Sequence, residues 1–308
     1  MRQSRASRRL MAWVVLSIAA AGGNGQELKP AFIYGVDYTF ERVRATRKSG
    51  DTADPADITL VSYVYRPLRT DRHQVVLWSH GSTNSMAIPP GEPRGVPPTM
   101  IDFFTSRGYT LVAPSRRGVG ESSGTYREEC AVWAGKCTRA EYLELFVSGL
   151  AEAVLDTSAV IDQNILGGLV PRDSRLLLAG QSRGGFLSLV MAAERPALVS
   201  GVVNFVGGWL SINDVWSAED NEKALKLQID RLSTLGARIR APTIWVYGAR
   251  DPFYAESTSR QLHRAFTEAG GKGEYFFVPT HTLNSGHEVG RDPSLWEGAV
   301  DRFLKGLQ

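Results

Sequence analysis

From residue 58 onward, short and almost uninterrupted apolar runs alternate with stretches of helical periodicity. The runs 58–66 (ITLVSYVYR), 74–79 (QVVLWS), 109–114 (YTLVAP), 175–179 (RLLLA), 199–206, 242–247 (PTIWVY) and 274–279 read as strands. Helices are expected at 98–107, 139–163, 184–195, 221–235, 255–269 and 293–306. The longest of these repeats Leu143, Leu145, Phe146, Leu150, Ala153, Val154 and Val160 at helical spacing. A strand that is apolar on both faces must be covered on both, and a strand that returns through a helix runs parallel to the one before it. Such a chain folds as an α/β domain, a mainly parallel sheet between two helical layers. No internal repeat, low-complexity tract or linker divides it, so residues 55–308 are expected to form one domain, preceded by a segment at 22–54.

The first 21 residues have a different character. Arg2, Arg5, Arg8 and Arg9 precede an apolar run at 10–21, which ends in Ala19, Ala20 and Ala21 before Gly22. A basic start, an apolar centre and small residues at the end make an export signal, with cleavage expected after Ala21. The other reading is an uncleaved anchor, but the run falls short of the roughly 20 residues that span a bilayer. Ser7, Arg8, Arg9 and Leu10 match a twin-arginine signal only in part, which leaves the export route open. The formal charge of +3 belongs to this leader, since no acid accompanies its four arginines. The remaining body is close to neutral and gives no electrostatic reason to expect nucleic acid or an anionic membrane as partner. No stable membrane association is expected, and the chain is placed outside the cytoplasm, in a bacterial periplasm or medium.

Export changes how the only two cysteines, Cys130 and Cys137, are read. In an oxidising compartment they can close a small loop, which the chain-entropy model credits with about 2.5 kcal/mol. The alternative is two buried thiols. A metal site is disfavoured, because two cysteines without a neighbouring histidine pair do not make a four-ligand set.

Gly180-Gln181-Ser182-Arg183-Gly184 stands where an apolar run ends and a helix begins. A serine raised above a sheet edge on so sharp a turn needs small residues on both sides, because larger side chains two positions away would strike the adjoining strand and helix. A serine hydroxyl is a weak nucleophile at neutral pH, so it requires a base, a carboxylate to orient that base, and donors for the oxyanion. Asp251 follows the strand at 242–247 in a tight turn, where its other reading is a turn or cap residue. Five histidines could be the base: His73, His80, His263, His281 and His287. His73 precedes a strand and His263 belongs to a polar helix face. His281 and His287 both lie in the loop after the last strand, from which a base can reach back over the sheet. The longer reach and the preceding Gly286 favour His287, leaving His281 exposed or lining the substrate site.

Arg183 opens the helix after the serine, so its backbone N–H faces the developing charge. A second donor is expected from the turn Trp78-Ser79-His80-Gly81-Ser82, through the backbone N–H of Ser82. His80 is then a hydrogen-bonding residue that shapes this turn.

In this order, the His80-Gly81 turn, the loop Pro114-Ser115-Arg116-Arg117-Gly118-Val119-Gly120-Glu121-Ser122-Ser123-Gly124, the Ser182 elbow, Asp251 and His287 resemble the α/β-hydrolase superfamily. Over about residues 55–308 the chain is most similar to its dienelactone-hydrolase and prolyl-oligopeptidase-like esterase branches. It lacks the oligopeptidase propeller, which puts size-sieving peptidase activity in doubt. The resemblance implies a carboxylic-ester hydrolase with Ser182 as nucleophile, His287 as base and Asp251 as orienting carboxylate, with no metal or organic cofactor and a small-molecule ester as substrate. Amidase, peptidase or acyltransferase chemistry on the same triad, and a non-catalytic relative that only binds, are the alternatives.

Many hydrolases of this fold carry a large cap after the strand that ends at 206. Here residues 207–241 have room for one or two helices, so a minimal lid is expected. Trp209, Leu210 and Trp216 either wall an acyl pocket or are plain packing. Arg183, a cation at a helix start, opposes the macrodipole and calls for an acidic partner, for which Glu121 and Asp251 are the candidates.

Overall fold

The computed structural model describes residues 38–50, 52, 54–68, 74–82, 95–128, 130, 136–170, 174–213 and 215–307. The leader with its cleavage position, and His73, lie outside the described residues.

Eight strands form one sheet: β1 (Tyr38–Lys48), β2 (Asp57–Pro67), β3 (Gln74–Ser79), β4 (Tyr109–Pro114), β5 (Leu176–Gln181), β6 (Val199–Phe205), β7 (Thr243–Gly248) and β8 (Gly273–Val278). Their order is β1-β2-β4-β3-β5-β6-β7-β8. β1 pairs with β2 and β2 with β4 antiparallel, and from β4 through β8 every pairing is parallel. The central strands are apolar on both faces because both faces are covered. In β5, Leu176, Leu177, Leu178 and Ala179 are all buried, and each leucine contributes roughly 1.5–3 kcal/mol by leaving water.

Six α-helices flank the sheet: α1 (Pro98–Ser106), α2 (Arg139–Val160), α3 (Arg183–Glu194), α4 (Ala218–Arg238), α5 (Glu256–Glu268) and α6 (Glu297–Lys305). α2, α3, α4 and α5 touch in series as one layer. α1 and α6 are joined by Arg107, whose Nε donates to Asp301 Oδ1 at 2.6 Å. Local chemistry fixes the starts of the two longest helices. Thr138 and Glu141 cap α2 reciprocally, and Ser217 accepts the Asp220 N–H at the head of α4.

Two elements depart from the expectation. β1 lies inside the 22–54 segment that the sequence sets apart, and it runs in full register with β2, so the sheet begins before residue 55. The expected helix at 293–306 is split at Trp296 into a short 3-10 turn (Pro293–Leu295) and α6.

At the lid position there is a single helix, α4. Its buried residues Ala224, Leu232 and Leu235 face inward, while Lys223 pairs with Glu219 and Lys226 with Asp230 on the solvated side. Cys130 and Cys137 form a disulfide just ahead of α2. Among the described residues, no helix is long and apolar enough to cross a membrane.

Candidate active site

In a parallel sheet the loops that leave the C-terminal strand ends gather along one edge, and side chains that must meet from distant parts of the sequence can meet there. Among the described residues, the non-glycine positions with left-handed φ are Ser182 (56°), Val206 (44°) and Arg250 (61°). They follow β5, β6 and β7 respectively. Such conformations cost on the order of 1–3 kcal/mol each and persist where the surroundings impose them.

Ser182 is forced into its conformation from both sides. Its N–H continues the sheet by donating to the Phe205 carbonyl at 2.9 Å, and its carbonyl accepts from Phe186 N at 3.1 Å inside α3. The turn is tight enough that a Cβ on Gly184 would lie 1.9 Å from the Ser79 carbonyl oxygen, and one on Gly180 would lie 2.4 Å from that of Gly184. The expectation that glycine is required on both sides of the serine has this steric cause.

Asp251 follows β7. Its Oδ1 accepts the N–H groups of Phe253 at 2.8 Å and Tyr254 at 3.2 Å, and its Oδ2 lies 2.9 Å from His287 Nδ1. The carboxylate side chain is fully enclosed and the imidazole is 17% exposed. A carboxylate can only accept, so Nδ1 carries a proton, and the tautomer this sets for the neutral ring leaves the lone pair on Nε2. The Phe253 ring packs against the imidazole in a T-shaped arrangement, with centroids 4.7 Å apart.

His287 is the histidine brought to Asp251; His281 is not. His281 Nε2 lies 2.8 Å from the Ala249 carbonyl, and Arg250 Nη2 donates to the carbonyls of His281 at 2.8 Å and Leu283 at 2.9 Å. His281 therefore braces the turn that carries Asp251. His263 lies on α5 against the Gly273 carbonyl and the Trp245 ring.

The His80-Gly81 turn abuts the serine: a Cβ on Gly81 would lie 3.2 Å from both Ser182 Cβ and the Gln181 oxygen. Ser82 comes next and is exposed. His80 is enclosed, with Nδ1 2.7 Å from the Gly81 carbonyl and Nε2 accepting the Arg116 N–H at 3.3 Å. Burial first, and then the Arg116 charge, hold its pKa well below the usual histidine value, so the ring is neutral. Arg116 also donates to the His80 carbonyl through Nη1 and Nη2, each at 3.0 Å, and its buried charge is met by Glu128. Beside it Arg117 engages Asp156 and Asp54, and Arg47 reaches Asp156 and Glu152 from β1. Burial pushes the Asp156 carboxyl up to about 6 against the pull of Arg47. A network of this kind ties the loop at 114–124, α2 and β1 together behind the His80 turn.

Arg183 makes contacts that the sequence does not announce. Its guanidinium is buried and donates to the carbonyls of Trp209 at 2.9 Å and Glu128 at 2.8 Å and to the Tyr142 hydroxyl at 3.1 Å. Asp251 is not its partner, because both of that carboxylate's oxygens are engaged by His287, Phe253 and Tyr254. Glu121 receives Arg42 at 2.7 Å. For Trp209 and Leu210 the packing reading fits: both are 1% exposed, and Gln228 takes both of their N–H groups. Trp216 is half-buried and stacks on Tyr142 with the Arg139 guanidinium over its ring at 3.9 Å.

The sequence reading passed over Gln181, Phe253 and the Arg116–Glu128 pair. Gln181 stands inside the serine motif and so was in plain view. The others are joined by contacts with no periodic trace in the sequence. No group of acidic, histidine or cysteine side chains among the described residues is arranged to hold a metal ion.

No family model and no curated protein matches the chain. Solved structures do. An esterase of Pyrococcus furiosus superposes over 87% of this chain and 90% of its own, with 15% identity and a TM-score of 0.58. A putative dienelactone hydrolase from Klebsiella pneumoniae covers 87% and 98%, with 16% identity and a TM-score of 0.52. An acylaminoacyl peptidase of Pyrococcus horikoshii matches 87% of this chain with 41% of its own, at 14% identity and a TM-score of 0.57. Together with the strand order and the turn after β5, these likenesses identify the architecture as the α/β-hydrolase fold.

Proposed function

We propose that the protein is a serine hydrolase that cleaves carboxylic esters through an acyl-enzyme. The observation that carries this reading is the His287–Asp251 pair at 2.9 Å, held along the same sheet edge as a serine whose φ is 56°. Two strands, β6 and β7, separate β5 from β8 in sequence order, and a structural role alone gives no reason for these two features to stand along one sheet edge.

In this mechanism His287 Nε2 takes the Ser182 hydroxyl proton as the oxygen attacks the acyl carbon. The backbone N–H groups of Ser82 and Arg183 receive the oxyanion. Arg183 supplies the first N–H of α3, a group with no acceptor inside its own helix. The imidazolium formed is stabilised by Asp251 and returns its proton to the departing alcohol oxygen. Water then enters, gives a proton to Nε2, attacks the acyl carbon and releases the acid as the proton passes back to Ser182. Every proton and electron pair in this cycle is accounted for by these groups, the ester and water.

The disulfide supports an oxidising compartment, in keeping with export directed by the leader. The purified mature chain is assayed with p-nitrophenyl acetate and butyrate, with Ser182→Ala as control. Turnover that falls to the uncatalysed rate in the variant is expected, and undiminished turnover removes Ser182 from the mechanism. Esters, lactones and aminoacyl amides assayed side by side then identify the leaving group.

A further inference from the structure

The loop that bears His287 follows β8, whereas Ser182 follows β5, and β6 and β7 lie between them. At about 4.8 Å per strand the loop must cross roughly 14 Å of sheet to bring its imidazole to the serine. A loop that crosses such a distance needs an anchor at its far end, since a misplacement of about 1 Å can cost 10²-fold in rate.

One side chain ties it to the serine's own strand. Gln181, the last residue of β5 and the neighbour of Ser182, donates from Nε2 to the main-chain carbonyl of His287 at 2.8 Å. At its start the turn Gly286–Arg291 is also tied to the loop that carries Asp251, where Gly286 N donates to the Arg250 carbonyl at 3.3 Å, and two further bonds come from its own surroundings. His287 N donates to Ser285 Oγ at 3.0 Å, and Trp296 Nε1 donates to the Val289 carbonyl at 3.0 Å. Neither of them refers to the serine. The bond from Gln181 does, because the residue that makes it shares a peptide unit with Ser182. Gly290 approaches so closely that a Cβ there would lie 3.6 Å from Gln181 Oε1, which places the turn directly against the amide.

We propose that Gln181 is a positioning residue: it sets the place of His287 over Ser182 by holding the His287 carbonyl. The inference rests on the reading of Ser182 and His287 as nucleophile and base. Asp251 fixes the rotation of the ring from Nδ1, and Gln181 fixes the backbone from which the ring hangs. These are two separate constraints on one imidazole.

The test compares Gln181→Met, which keeps the length and volume but has no donor, with Gln181→Glu, which donates only when protonated. With p-nitrophenyl butyrate, Q181M is expected to lower kcat by about 10- to 100-fold, with KM within about twofold of wild type. Q181E should behave differently with pH. As pH falls, its protonated carboxyl regains the bond, and its kcat rises relative to that of Q181M. As pH rises, its carboxylate faces the carbonyl and stabilises the imidazolium, so the acid limb of kcat/KM lies at higher pH than in Q181M. A merely structural role would lower both variants in proportion to their loss of Tm, with a ratio that does not change with pH. Should Q181M not fold, Gln181→Asn keeps the amide but shortens its reach by one methylene, and is expected to give the same loss in kcat.

Q181M turnover within twofold of wild type, or a pH-independent ratio between the two variants, overturns the proposal. Ser182→Ala in the same assay separates the two failures. If that variant is inactive while Q181M is normal, only the role of Gln181 falls. If Ser182→Ala retains turnover, the reading of the site falls, and the role of Gln181 with it.

Discussion

Asp251 holds His287 Nδ1 at 2.9 Å with one carboxylate oxygen while the other is occupied by two backbone N–H groups, so the carboxylate cannot rotate away from the ring. Asp251→Asn keeps the shape of this arrangement but can present an N–H to Nδ1, which moves the ring proton to Nε2 and removes the base. The expected result is a fall in kcat of about 10⁴-fold, with a Tm close to that of wild type. Steady-state kinetics and thermal melting check both, and a fall of less than tenfold would remove Asp251 from its role.

His80 has a consequence for acid stability. Its ring is neutral in the folded protein because burial and Arg116 hold its pKa well below 6.5, the value an unfolded chain retains. Below pH 6.5 the unfolded state binds a proton that the folded state does not, so this group lowers stability as pH falls from 6.5 toward its folded pKa and has no effect above that window. The slope approaches about 1.4 kcal/mol per pH unit. Asp156 acts in the opposite sense between its ordinary range and about 6, so the quantity to measure is the difference between wild type and His80→Gln in urea unfolding. Gln can offer a donor and an acceptor to Gly81 and Arg116 but does not titrate. Wild type is expected to lose stability relative to the variant as pH drops below 6.5, and a difference that is flat with pH contradicts the account.

The elbow gives a steric prediction. A Cβ on Gly184 would lie 1.9 Å from the Ser79 oxygen and 2.5 Å from the His80 oxygen, both main-chain atoms of the neighbouring strand end. Gly184→Ala must push β3 and α3 apart, at a cost of about 3 kcal/mol or more. Gly298 lies exposed on α6, where the nearest atom to an added Cβ is Arg302 Nη1 at 3.9 Å, and Gly298→Ala should stabilise by roughly 0.5–1 kcal/mol. Denaturant midpoints of the two variants should move in opposite directions.

Much of this fold can be read in the sequence because buried parallel strands advertise themselves. β3 and β4 have the expected limits, and the other parallel strands differ from theirs by one or two residues. β1 was hidden for the opposite reason. It is an antiparallel edge strand, whose Val43 and Ala45 face inward while Arg42, Arg44 and Thr46 face water, and so many charges mask the alternation. Trp296, with φ of −142°, delays the start of the expected last helix to residue 297, because its indole is drawn into the core against Phe103 and Phe205. The positions of Ser182, Asp251 and His287 at one sheet edge were legible because each follows a recognisable strand. The Arg116–Glu128 and Arg117–Asp156 pairs and the partners of Arg183 are set by tertiary packing, which leaves no spacing rule in the sequence. Charge alone suggested Glu121 or Asp251 for Arg183, and its bonds to the Trp209 and Glu128 carbonyls and the Tyr142 hydroxyl are contacts that local patterning does not reveal.

The central claim is that the hydroxyl of residue 182 is made nucleophilic by the imidazole of residue 287. A fluorophosphonate probe reads this without any knowledge of the natural substrate, because it phosphonylates an activated serine with loss of fluoride. Intact-mass measurement and peptide mapping should find one adduct per chain, on Ser182. That adduct should be absent from Ser182→Ala and should form at least about 10²-fold more slowly in His287→Ala. An adduct on another residue, or labelling at the wild-type rate in His287→Ala, would contradict the account.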